Sequence, residues 1–507
     1  MTALPTRKYW RRSATVSAIL AAGALATAAA CSSSAAPPTA TKLSRAELLD
    51  PETCKTCHAD HYREWSGSMH AYAADDPVFR AMNARGQRET GGQLGTFCVN
   101  CHAPMAVREN ATTDGLNLDT VDPKLKGVTC FFCHQADAIE GMHNGQLRLG
   151  DDLVMRGRYA DPVENTAHRA GYSTFHDSTK SDSARMCGAC HDIVNGHGVH
   201  IERTFQEWDK SVFAVPPNGL SCSQCHMPAE IRVPIAQAPN VYLRDRHSHM
   251  FEAVDVAVTP WPEKEAQAAA VKAMLDQTLA VALCVQIVGG RASVQVVADN
   301  AAGGHSFPSG SAQDRRLWFE LQAFQNGAPE PIYQSGVVPA GVDPGAIGDP
   351  DLWLLRDHFF DDTGKEVHMF WEAKRYETHL LPAKPPPAPL RSTHLIRRYP
   401  RDPAGLFAAR PDRVRLRVLL QPIGLDVLDD LVRSGDLDPA IRAATPPPHV
   451  VGSTLEWTPE LAAAANIPFS ARNEASGTCV TNVPDVATAL NLVQAHCSAD
   501  DPTQCSL

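Results

Sequence analysis

Five copies of one short pattern, Cys-x-x-Cys-His, dominate this 507-residue chain. They are Cys54 and Cys57 with His58, Cys98 and Cys101 with His102, Cys130 and Cys133 with His134, Cys187 and Cys190 with His191, and Cys222 and Cys225 with His226. The spacing suits one chemistry. Two thiols one helical turn apart can add to the two vinyl groups of a single haem, and the adjacent histidine then lies beneath the iron as its first axial ligand. Zinc ribbons also use Cys-x-x-Cys, but they come as pairs of pairs, do not need a histidine after each, and would strand a fifth copy. A thioredoxin-like dithiol occurs once per domain beside a βαβ pattern, which is absent here. The pattern therefore implies five covalently attached c-type haems.

Five of the fifteen cysteines lie outside these motifs: Cys31, Cys284, Cys479, Cys497 and Cys505. Arg7, Lys8, Arg11 and Arg12 precede a weakly apolar, small-residue stretch over 13–30, which reads as a signal peptide over 1–30. Cys31 follows Ala-Ala-Ala and opens a Ser/Pro/Ala tether over 31–45, similar to a bacterial lipoprotein processing site, although Ala28 stands where leucine is usual. A lipid on Cys31 would hold the protein at a membrane surface without spanning it. The other four cysteines allow two disulfides in an oxidising compartment, with three possible connectivities. Cys479 with Cys497 is a plausible pair, bracketing a short helical stretch.

The chain is too long for one core. Its formal net charge of −11 comes with no basic block that would suit nucleic acid. The fold expected is multidomain. A pentahaem cytochrome c domain over 46–250, built of short helices and loops around stacked haems, leads through a connector over 251–275 to a mainly β, sandwich-like domain over 276–475. A disulfide-held tail over 476–507 completes it. Residues 46–250 lack long periodic apolar segments, so haem faces must supply much of the buried apolar area. From residue 276 the texture alternates and is rich in β-branched residues, with turns at Gly289-Gly290, Gln325-Asn326-Gly327 and Asp362-Thr363-Gly364. The strand-like runs are LAVALCVQIV, RASVQVVADN, RRLWFELQAF, EVHMFWEA and RVRLRVLLQPI, and LDVLDDLVRSG reads as a short helix.

The surroundings of the motifs resemble a known family. CKTCHADHYREWSGSMHAYA from residue 54, GVTCFFCH, MCGACHD followed by TFQEWDKS, and CSQCHMP are similar to cytochromes related to the tetrahaem cytochrome of nitrifying bacteria. GGHSFPSG at 303–310 resembles a signature of multihaem cytochromes with a β-rich C-terminal domain. The resemblance implies electron transfer through closely stacked haems with two histidine ligands each. Five motifs instead of four mean that the family's ligand pairing cannot be copied wholesale.

A second axial ligand decides between a wire and a catalyst, because an iron with two protein ligands has no place for substrate. Ten histidines up to residue 305 are spare: His61, His70, His143, His168, His176, His197, His200, His247, His249 and His305. The resemblance favours His70, in SGSMHAYA; His249, in RDRHSHMF, with His247 as the alternative; and His305, on a loop that Gly303 and Gly304 allow to approach closely. Context adds His176, in GYSTFHDS before the fourth motif, and His200 or His197 in NGHGVH. His61 is too near His58 to reach across the same iron. His143 and His168 weigh evenly between ligand and ordinary surface residue. Two Glu-Trp pairs, Glu64-Trp65 and Glu207-Trp208, are expected to pack against porphyrin edges. The function implied is electron transfer between redox partner proteins, or to an external acceptor. The alternative is an oxidoreductase acting on a small nitrogen or sulfur compound at one open haem.

Overall fold

The computed structural model describes residues 42–163, 165–216, 219–239, 241–386, 393–469 and 477–483, with positions 488 and 492. The signal stretch, Cys31, most of the tether, Cys497, Cys505 and nearly all of the tail helix expected after residue 483 lie outside the described residues.

The first half is built from short pieces. Helices Arg45–Leu48, Pro51–Lys55, Ala59–Gly67, Met69–Tyr72, Pro77–Glu89 and Val99–His102 follow one another, and small two-stranded sheets separate the later ones. The side chains of Ser44, Asp50, Ser68 and Asp76 cap four of these helices, which favours helices this short. Ser44 forms a capping box with Glu47, and Asp76 caps Val78 N–H ahead of Pro77. One apolar cluster gathers Val99, Met105, Phe131, Phe132 and Leu118 under the motifs.

The second half is two packed sheets. One runs, in spatial order, Leu395–Tyr399, Arg291–Asn300, Leu279–Val288, Gly477–Thr481 and Ile467–Phe469. The other is centred on Arg316–Phe324 paired antiparallel with Arg413–Gln421. Alternation places Val414, Leu416 and Val418 in the shared core and turns the intervening arginines outward. There Arg417 meets its register partner Glu320 through two bonds of 2.8 and 2.7 Å. Leu279–Val288 is apolar at nearly every position because both of its faces are covered. Val281, Leu283 and Val285 face the sandwich core, while Ala280, Ala282 and Cys284 face a second cluster with Ile467 and Leu492.

Two expectations are corrected here. EVHMFWEA is a strand only at Glu366–Val367. The rest turns back, because Asn195 donates to the carbonyls of Phe370 and Ala373 (both 2.8 Å) and Trp371 Nε1 reaches Glu89 at 3.1 Å. The disulfide joins Cys284 to Cys479, not Cys479 to Cys497. The register explains it: the two residues stand opposite each other on adjacent antiparallel strands, with Cα atoms 4.0 Å apart. The bond closes a loop spanning a sequence separation of 195. In the chain-entropy picture a loop of that size is worth about 5 kcal/mol. Cys284→Ala combined with Cys479→Ala is therefore expected to lower the denaturant midpoint for loss of β-sheet circular dichroism steeply, and an unchanged midpoint would contradict it.

The halves meet through Leu425–Arg433, whose Leu425, Leu428 and Leu431 pack on Val78 and Ala81 of Pro77–Glu89. Arg85 binds Asp430 at 2.9 Å, and Arg203 binds Asp357 at 2.6 Å. Among the described residues, no helix is long and apolar enough to cross a membrane.

Candidate haem-binding site

Each motif winds through about one turn. The N–H groups of His58, His102 and His191 return to the carbonyls of Cys54, Cys98 and Cys187 at 2.8, 3.2 and 3.0 Å. His134 and His226 lie within Cys130–Gln135 and Cys222–His226. That turn brings the thiols and the imidazole of each motif together.

The helices Pro51–Lys55 and Ser181–Gly188 stop short of Cys57 and Cys190, which lie in the turns that follow. Cys57 stays in register because its N–H bonds Cys54 O at 3.2 Å, while its carbonyl accepts from Gln237 N–H at 2.6 Å. Cys57 is half-buried and Cys225 is exposed. Motifs distant in sequence also touch. The Cys54 thiol contacts that of Cys130, Cys101 that of Cys190, and Cys187 that of Cys222.

The imidazoles are oriented by the backbone. Nδ1 of His58, His102, His134 and His226 bonds the carbonyls of Ile235 (2.9 Å), Ala73 (3.1 Å), Arg156 (2.5 Å) and Glu252 (2.5 Å). A proton committed to Nδ1 leaves the Nε2 lone pair free, the tautomer a metal needs. His168, His249 and His305 are held alike, by Arg169 O (3.2 Å), His247 O (3.0 Å) and Ser306 O (2.8 Å). Burial lowers His70 and His249 to about 3 and His305 to about 4, so all three stay neutral near pH 7.

These rings face motif histidines at one recurring distance. Centroids are 6.2 Å apart for His58 and His168, 6.2 Å for His70 and His191, 6.3 Å for His134 and His249, and 6.2 Å for His226 and His305. Two imidazoles on opposite sides of one metal, with each nitrogen roughly 2 Å from it and each ring centre about 1 Å further out, lie about 6 Å apart. The donor set and its spacing thus fit haem iron.

Other candidates lie elsewhere. The His176 ring is 5.0 Å from His134, too close to share a metal across a porphyrin, and its Nε2 bonds Cys133 O beside the motif. His200 meets Gln206 at 2.6 Å, His197 meets Lys374, and His247 bonds Met227 O. His61 packs edge-on against His249 and His58. His102 has no histidine ring partner among the described residues; its ring contact is Phe79, stacked at 3.9 Å. The sequence weighs His168 evenly, and the folded chain carries it to His58.

The profile of the family Cytochrome c554 and c-prime matches residues 53–135, which contain the first three motifs. No curated protein matches the chain. A solved structure, a penta-heme cytochrome c552 from Thermochromatium tepidum, shares the fold with a TM-score of 0.56 at 19% identity, covering 81% of this chain and 99% of that one. The five motifs, their paired imidazoles, the family match and the shared fold together support reading this chain as a multihaem c-type cytochrome with covalent haem c.

Proposed function

We propose that the protein passes electrons between redox partners through five haems, four of them held between two histidines. The observation that carries this reading is the set of four facing pairs at 6.2–6.3 Å. Haem c supplies a one-electron iron couple when bound. The chain's own residues would attach it, and the imidazole pairs His58 with His168, His70 with His191, His134 with His249 and His226 with His305 would hold four of the irons. The proposal extends to an exported protein, lipid-anchored through Cys31, whose partners are redox proteins or an external acceptor.

His102 favours a second reading for the remaining haem. No imidazole stands across from it among the described residues, so the haem on Cys98 and Cys101 is the candidate for an open position and for small-molecule chemistry.

Low-temperature EPR of the oxidised holoprotein, quantified against haem content, tests both readings. The expected result is four low-spin haem equivalents and one high-spin, the latter alone binding carbon monoxide after reduction. Five low-spin haems would remove the open position and leave a wire. Two or more high-spin haems would refute the pairing.

A further inference from the structure

Two segments far apart in sequence repeat one construction. Tyr62-Arg63-Glu64-Trp65-Ser66-Gly67-Ser68 and Phe205-Gln206-Glu207-Trp208-Asp209-Lys210-Ser211 share the order aromatic, x, Glu, Trp, x, x, Ser. In each, the serine hydroxyl donates to the tryptophan carbonyl at 2.7 Å. In each, the leading aromatic ring packs on the indole, at 5.8 Å for Tyr62 and 5.6 Å for Phe205.

What the two segments hold is also parallel. Trp65 Nε1 donates to Val128 O and Trp208 Nε1 to Leu220 O, both at 2.8 Å. Val128 and Leu220 each stand two positions ahead of a motif, at Cys130 and Cys222. The neighbouring glutamate reaches the other way. Glu64 Oε2 accepts from His249 N–H at 2.9 Å, and Glu207 Oε2 accepts from Ser306 N–H at 3.1 Å, next to His305. Both carboxylates lie beside an arginine: Glu64 meets Arg246 at 2.7 Å, and Glu207 is 3.7 Å from Arg203. A Cβ on Gly304 would lie 3.2 Å from the Trp208 indole, so the loop carrying His305 rests directly on that ring.

The two ends belong together. His249 faces His134, the histidine of the Cys130 motif, and His305 faces His226, the histidine of the Cys222 motif. We infer that each Glu-Trp pair is a clamp on one haem, its indole fixing the attachment peptide and its carboxylate fixing the loop that supplies the opposite imidazole. Glu64, Trp65, Glu207 and Trp208 are then positioning residues for two of the five irons. They set the separation of the axial pair from a rigid helix, as the partners of metal ligands commonly do. The inference rests on reading His249 and His305 as second axial ligands.

The test uses full-length holoprotein with its haem content checked. His305→Ala and His249→Ala serve as controls, and each should add one haem equivalent that binds carbon monoxide. Glu207→Ala and Trp208→Phe are expected to make the haem that His305→Ala exposes bind carbon monoxide as well, with a shifted low-spin EPR signal. Glu207→Gln, whose amide oxygen still accepts from Ser306, should restore the native signal. Glu64→Ala should affect only the haem that His249→Ala exposes. If the histidine controls expose a haem and the Glu→Ala and Trp→Phe variants leave its spectrum and ligand binding native, the clamp is refuted and the pairing stands. If the histidine controls expose nothing, the axial reading itself falls.

Discussion

Made without haem attachment, the chain is expected to lose the fold of residues 42–262 altogether while keeping much of the β-region. The helices of the first half are mostly four to nine residues long, and the longest, Pro77–Glu89, has 13. Isolated helices shorter than roughly 12–15 residues are marginal in water. Tertiary burial must hold them, and the side chains offer little of it. The cluster under the motifs includes Ala74, Ala103, Ala106 and Ala189, and the motif residues Cys98, Cys133 and Cys190 pack against it. Neutral buried imidazoles such as His70, whose Nδ1 has no hydrogen-bond partner, add desolvation cost without a compensating bond. Coupling of folding to metal-group binding is the general result for such segments. The second half has its own core of Leu283, Val296, Phe319, Trp353 and Leu416, and its own covalent link. Limited proteolysis of chain secreted without haem should therefore degrade the first half and leave a resistant C-terminal fragment. Equal resistance of both halves would refute the claim.

Arg203→Ala is expected to destabilise the holoprotein by about 3–5 kcal/mol, the range for breaking one side of a buried ion pair. Asp357 is fully buried, and Arg203 is its 2.6 Å partner across the junction of the two halves. The guanidinium also lies 4.2 Å over the Tyr376 ring, and its charge helps Glu207 stay ionised against a burial that pushes that carboxyl up to about 7. Removing it strands the buried Asp357 carboxylate without its partner. Arg203→Met with Asp357→Leu should lose far less than the single change, since the desolvation problem goes with the pair. Urea unfolding of the parent protein and the two variants gives the comparison, and a double variant as weak as Arg203→Ala would contradict the electrostatic account.

Different parts of this architecture were legible in the sequence to different degrees, for physical reasons. Attachment is local chemistry: two thiols and an imidazole on one turn, readable wherever the spacing occurs. The sandwich strands were legible because alternation is enforced by two covered faces, as at Val414, Leu416 and Val418. Opposition of rings is not local. His168 reaches His58, and His70 reaches His191, only through the folded backbone, so no pattern around His168 could announce it. His176 shows the converse, since proximity to a motif in sequence placed it beside His134 instead of across from it. The disulfide followed the same logic, because strand register sets Cys284 against Cys479 and no spacing rule contains that register.

The bond between Cys284 and Cys479 also has a topological meaning. It turns everything between those residues into a covalent ring, entered and left through two adjacent strands. Tension applied along the chain from either end passes across that bond and bypasses residues 285–478. A single cut anywhere inside the ring leaves both pieces attached, so a nicked molecule keeps its full mass until the bond is reduced.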